Sequence, residues 1–91
     1  MTDLTLKDNG HCLMADVDGH QLEVRYGWTN KDTMRVDFVG VPKALEGKGY
    51  GTKLVGALVQ RARKQNFRLQ PICGFARQKL AQHKEWHDVL A

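Results

Sequence analysis

Glu46-Gly47-Lys48-Gly49-Tyr50-Gly51 joins two hydrophobic patterns that belong to different kinds of structure. Before it, Met34-Arg35-Val36-Asp37-Phe38-Val39-Gly40-Val41 alternates as a strand does. After it, Leu54, Val55, Leu58, Val59 and Ala62 recur at helical spacing. A glycine-rich turn between a strand and a helix start suits phosphate. Glycine lets the backbone approach an anion, the first helical N–H groups lack internal partners, and the helix dipole favours negative charge there. The plainer alternative is a flexible connector carrying surface lysines.

Upstream of this stretch the chain reads as an antiparallel meander. Leu4 to Lys7 opens it, Asp8-Asn9-Gly10 turns, and His11 to Val17 is a strand. Asp18-Gly19 is a strong hairpin signal before a strand from Gln21 to Trp28. Thr29 to Asp32 reads as a turn, Thr33 to Val41 as the next strand, and Pro42 ends its pairing. Downstream, a helix from Gly51 to about Asn66 is followed by a short strand, Phe67 to Cys73. A strand reached through a helical crossover can lie parallel to the one before it. A second helix spans Phe75 to His83, and the tail to Ala91 continues it after a break. The order ββββαβα gives an α+β fold with a mixed sheet in one domain over residues 1–91.

Composition agrees with a folded domain. Of 91 residues, 42% are hydrophobic and 26% charged, the ordinary globular range. No run approaches the roughly 20 apolar residues of a membrane span. Met1-Thr2-Asp3-Leu4 lacks a basic start followed by an apolar run, so no signal peptide is read. Cys12 and Cys73 make no disulfide framework, and a cytoplasmic protein with free thiols is expected. The net charge of +4 suits an anionic ligand or merely keeps a small protein soluble.

The glycine stretch is neither of the two commonest phosphate loops. Gly47 and Gly51 are too close for a Walker A loop, and Thr52 precedes Lys53 rather than following a lysine. Thr52 also stands where a dinucleotide fingerprint needs its third glycine.

A wider set of residues resembles the GNAT acetyltransferase superfamily, and within it the minimal branch of short chains. The resemblance rests on Val41-Pro42, Leu45-Glu46-Gly47-Lys48-Gly49-Tyr50-Gly51, Leu54, then Pro71-x-Cys73-x-Phe75, then His83-x-Glu85-Trp86 and Leu90. It covers residues 33–91 well and 11–32 loosely. It implies a sheet of antiparallel meander and βαβ unit with a C-terminal helix, binding acetyl-coenzyme A. Backbone amides of Gly47, Lys48, Gly49, Tyr50, Gly51 and Thr52 would cradle the pyrophosphate, and Lys48 and Lys53 could offset its charge. A backbone N–H near Val39, Gly40 and Val41 would hold the thioester carbonyl. The reaction implied is acetyl transfer to an amine acceptor, a small molecule or a protein.

Two departures stand out. Glu46 occupies a position where the superfamily usually has Arg or Gln, although the minimal branch tolerates Glu there and the backbone amides matter more than this side chain. Phe38-Val39 replaces a His-Thr pair common in the branch, so the polar groups expected near the acyl site are missing. Through the branch's Pro-x-Cys motif, the resemblance implies that Cys73 faces that site. By position alone it is either a small buried hydrophobe or a thiol whose thiolate a helix N-terminus stabilises. The resemblance favours the second, with the thiol attacking the thioester or protonating the departing thiolate.

Other readings stay open. One is a coenzyme A or acyl-coenzyme A binding protein with little catalysis. Another is a small nucleic-acid binder using Lys53, Arg61, Arg63, Lys64 and Arg68. Against the latter, the chain has no aromatic–basic interleaving and no recognisable binding module. Nucleic acid and membrane are therefore not the expected partners, while self-association into a homodimer would help a domain this small. His83 and His87 share a helical face, but the zinc-protease order is not met, and no metal is expected. Trp28 and Trp86 read as packing residues.

Overall fold

The computed structural model describes residues 4–91. Its strands are β1 (Lys7–Asp8), β2 (Cys12–Val17), β3 (His20–Asn30), β4 (Thr33–Gly40) and β5 (Arg68–Pro71), and its helices are α1 (Tyr50–Gln65) and α2 (Gly74–Gln82). The strands form one sheet in the order β1-β2-β3-β4-β5. The first four are mutually antiparallel, and β5 pairs with β4 in parallel from Thr33↔Arg68 to Val36↔Pro71. This is the α+β order and mixed sheet expected from the sequence. Helices α1 and α2 lie side by side against β4 and β5. No described helix is long and apolar enough to cross a membrane.

The helical stripe read from the sequence is the one that packs. Leu54, Val55, Leu58, Val59 and Ala62 are all buried against Leu13, Leu22, Val24, Met34, Val36 and Leu69 of the sheet. Ala76 and Leu80 add the apolar side of α2. Asp18 (φ 50°) and Gly19 (φ 78°) make the tight turn closed by Val17↔His20, since both conformations follow the twist of the flanking strands.

Several boundaries move, each for a local reason. Asp8 belongs to β1 and its carboxylate accepts the Gly10 N–H, so the turn starts one residue later than Asp8-Asn9-Gly10 implies. Strand β3 runs on to Asn30, whose side chain closes a tight turn by accepting the Asp32 N–H. Strand β5 is only four residues long. Pro71 offers no N–H, and the Val36 carbonyl then takes both the Ile72 and Cys73 amides (2.9 and 3.0 Å), which ends the ladder. The tail is a 3-10 turn over Lys84–Val89, and Leu90 then bridges to Leu69.

The largest correction lies inside β4. Arg25 pairs with Phe38 but Tyr26 pairs with Val36, so Asp37 is an extra residue, a β-bulge. Strict alternation would bury Phe38 with Met34 and Val36. Past the bulge the faces exchange. Phe38 is 44% exposed beneath the Arg25 guanidinium, while Val39 and Val41 pack against the core.

Candidate functional site

Pro42 ends β4's path, and a 3-10 turn at Lys43–Leu45 plants Leu45 in the core. The chain then leaves Leu45 as a turn over Glu46–Gly49 and enters α1. Gly47 (φ 78°) and Gly49 (φ 80°) have left-handed backbones that a side chain would strain, and Gly49 is the cap of α1. That cap has no side-chain hydrogen bond, and the first turn carries no acidic residue. Lys53 is the first helical residue whose N–H finds a carbonyl, that of Gly49 at 3.1 Å. Among the described residues, the amides from Gly47 to Thr52 make no close, well-aligned hydrogen bond to a protein acceptor. Six adjacent N–H groups without partners at a helix N-terminus make a site for an anion.

These amides open onto a cavity of about 220 Å³. Of the residues expected to bind cofactor, Val41, Gly47, Gly49, Tyr50, Gly51 and Thr52 line it. Leu45, Glu46, Phe75 and Lys79 complete the wall. From the sequence, Phe75 enters only as a motif residue and Lys79 not at all, and neither is expected at the cofactor site. Their signal was there: once Cys73 opens α2, residues 75 and 79 share one helical face. A Cβ on Gly51 would lie 2.5 Å from the Phe75 ring, so glycine is required for this close packing. The Lys79 ammonium sits 5.5 Å from the centre of the same ring.

Val39, Gly40, Lys48, Lys53 and Cys73 do not line that cavity. Val39 and Gly40 lie where β4 has lost its neighbour, because β5 stops opposite Val36. Cys73 stands on the other side of this parting. It caps α2, its N–H donates to Val36, its carbonyl accepts from Arg77 (2.9 Å), and its half-buried side chain packs on the core. Cys12 is the contrasting thiol. Burial, with the Glu23 carboxylate next, pushes it above the ordinary thiol range.

Lys48 is exposed. Lys53 is turned to the Tyr50 ring (5.0 Å) and borders a larger hollow of about 520 Å³ with Lys7, Asp16 and Asp18. That hollow is bigger but carries both charges, and none of the unpaired amides except that of Tyr50 belongs to a residue lining it.

The arginines on the basic side of α1 have protein partners. Arg63 donates to both Asp88 oxygens (3.0 and 2.7 Å) and to the Glu85 carbonyl. Arg61 lies 3.6 Å from Asp8, and Arg68 donates to the Leu90 carbonyl. His83 stacks on Trp86 and contacts Glu85, and among the described residues no cluster suited to a metal occurs.

Comparison with known proteins agrees with this geometry. The sequence profile of the GCN5-related N-acetyl-transferase family matches residues 13–89. No curated protein matches the chain in sequence. Among solved structures, the chain is similar to the NMR solution structure of a GCN5-like N-acetyltransferase candidate from Staphylococcus aureus. The identity is 28% and the TM-score 0.75, over 100% of this chain and 91% of that one. The profile spans the meander, the glycine loop with its unpaired amides, and the Cys73 cap alike, and the chain therefore belongs to the GCN5-related N-acetyl-transferase family.

Proposed function

We propose that this chain binds acetyl-coenzyme A and transfers its acetyl group to an amine. The observation that carries the reading is the row of unpaired amides from Gly47 to Thr52, opening onto a cavity beside the parting of β4 and β5. The residues present fit the cofactor: its diphosphate needs backbone donors, and at Gly47 and Gly49 the space a side chain would take is open, so an anion can come up against the bare backbone. When bound, acetyl-coenzyme A supplies an activated thioester. The chain's own part is to hold the diphosphate on the loop amides and to receive the thin pantetheine arm along the free edge of β4. A β4 amide near Val39 to Val41 would polarise the thioester carbonyl. The Cys73 thiol, at the head of α2, would give its proton to the departing thiolate.

A second reading is coenzyme A binding with little catalysis. It is favoured by Phe38, whose ring lies exposed on the sheet beneath Arg25, and by apolar Val39. Neither supplies a base for the amine. A nucleic-acid reading has less support, since Arg61, Arg63 and Arg68 already have protein partners.

Thermal unfolding with acetyl-coenzyme A, coenzyme A and a short DNA duplex separates the three. Ligand at about 100 times its Kd adds about 2.7 kcal/mol. Stabilisation by duplex alone would sink the cofactor reading. Cys73→Ala is expected to keep cofactor binding and slow acetyl transfer. Followed by peptide mass spectrometry, Cys12 should be alkylated more slowly than Cys73 in the free protein, and coenzyme A should protect Cys73.

A further inference from the structure

We infer that Lys79, on α2, is the side-chain cation that holds the cofactor diphosphate, in place of the lysines of the glycine loop. The inference rests on the cofactor reading above. Amide dipoles orient a diphosphate but leave its charge unneutralised, and a charge-assisted partner is needed beside them. Of the loop's two charged side chains, Glu46 and Lys48, only Glu46 lines the cavity, and its charge has the wrong sign. Three lysines lie near, and only one is placed for the task. Lys48 lines neither hollow. Lys53 faces the Tyr50 ring and the larger hollow. Lys79 lines the cavity onto which the unpaired amides open.

Its surroundings leave it available. Lys79 is half-buried, and among the described residues no carboxylate pairs with it. The Phe75 ring beneath its ammonium rests on Gly51, in the first turn of α1. Ring and ammonium thus form a stack built up from the helix start. A lysine held only by a ring face can exchange that contact for phosphate oxygens, and a tightly paired one cannot. The chain thereby restores from α2 the positive charge that Glu46 removes from the loop.

The test compares coenzyme A affinities of Lys79→Gln, Lys79→Arg, Lys48→Gln, Lys53→Gln and Glu46→Gln by calorimetry, at low and high salt. Loss of a charged hydrogen bond predicts a fall of roughly tenfold or more for Lys79→Gln. Lys79→Arg should recover most of that loss, and the salt dependence of binding should flatten in Lys79→Gln. Lys48→Gln and Lys53→Gln should stay within about twofold, and Glu46→Gln should bind more tightly, since a like charge leaves the cavity. Wild-type affinity in a folded Lys79→Gln protein, or a larger loss in Lys48→Gln or Lys53→Gln, overturns the assignment while leaving the cofactor reading intact. Failure of the wild-type chain to bind coenzyme A removes the cofactor reading and this assignment with it.

Discussion

The two ends of α1 are built on opposite principles. At its start the backbone is left open: Gly49 caps it without a side chain, and six amides have no protein partner. Its second half is tied down by protein partners. Asn66 adopts a left-handed conformation (φ 60°), and the Asn66 and Phe67 amides both return to the Ala62 carbonyl. Arg63 clasps Asp88, and Arg61 faces Asp8, which accepts the Tyr26 hydroxyl at 2.5 Å. One helix is thus anchored at one end and left open at the other. Unpaired groups at a helix end are tolerated where they serve an anion, and paired ones where they serve the fold.

The sharpest way to break this contrast is to alter the open end. Gly49→Val should abolish coenzyme A binding by calorimetry, because the loop must leave its left-handed geometry. That geometry disfavours a side chain by roughly 1–2 kcal/mol, so thermal unfolding should register a modest loss as well. Retained affinity would make the loop a connector.

At the anchored end the effect should fall on stability instead. Tyr26→Phe removes a buried hydroxyl's bond to a carboxylate and should destabilise by about 1.5–3 kcal/mol, without changing coenzyme A affinity. It should also change the alkaline limb of stability. Burial, then the Asp8 bond, pushes the Tyr26 phenol up to about 12 from 10.0, so its contribution is whole below pH 10 and is lost between about 10 and 12. Denaturation against pH should show this decline in the wild type and less of it in Tyr26→Phe.

In acid the sign reverses. Burial raises the Asp8 carboxyl, but the Tyr26 hydroxyl, the Gly10 amide and Arg61 together bring it below its ordinary 3.8. The Arg63 guanidinium likewise lowers Asp88. Stability from both is present above the ordinary carboxylate value and lost as pH falls through their lowered ones. Asp8→Asn with Asp88→Asn should flatten that acid limb.

Smaller still, Arg63→Gln should lower Tm at neutral pH with cofactor affinity unchanged. Exposed Lys64 is in no ion pair among the described residues, and Lys64→Gln should alter neither.

What could be read from the sequence follows from what is local. The α1 stripe, the Asp18-Gly19 turn and the Gly47–Gly51 loop are each fixed by neighbours in the chain, and all were legible. The bulge at Asp37 was not, because Met34, Val36 and Phe38 continue a regular alternation that only pairing with β3 interrupts. The length of β5 depends on Val36, far away in sequence, taking two amides at once. Phe75 and Lys79 join the loop only through the packing of α2 beside α1. The arginines of α1 read as solvated because Asp8 and Asp88, their partners, lie near opposite ends of the chain.

The parallel pairing of β4 with β5 also sets an order in time. Strands β1 to β4 meet through short turns and can zip up locally. Thr33 meets Arg68 only after the whole glycine loop and α1 have been threaded between them, so closure entropy precedes any reward from contacts. The parting of β4 from the Cys73 cap lies at the far end of this pair. A chain that has formed only its hairpins has no cleft, and the candidate site comes into being as one of the last acts of folding.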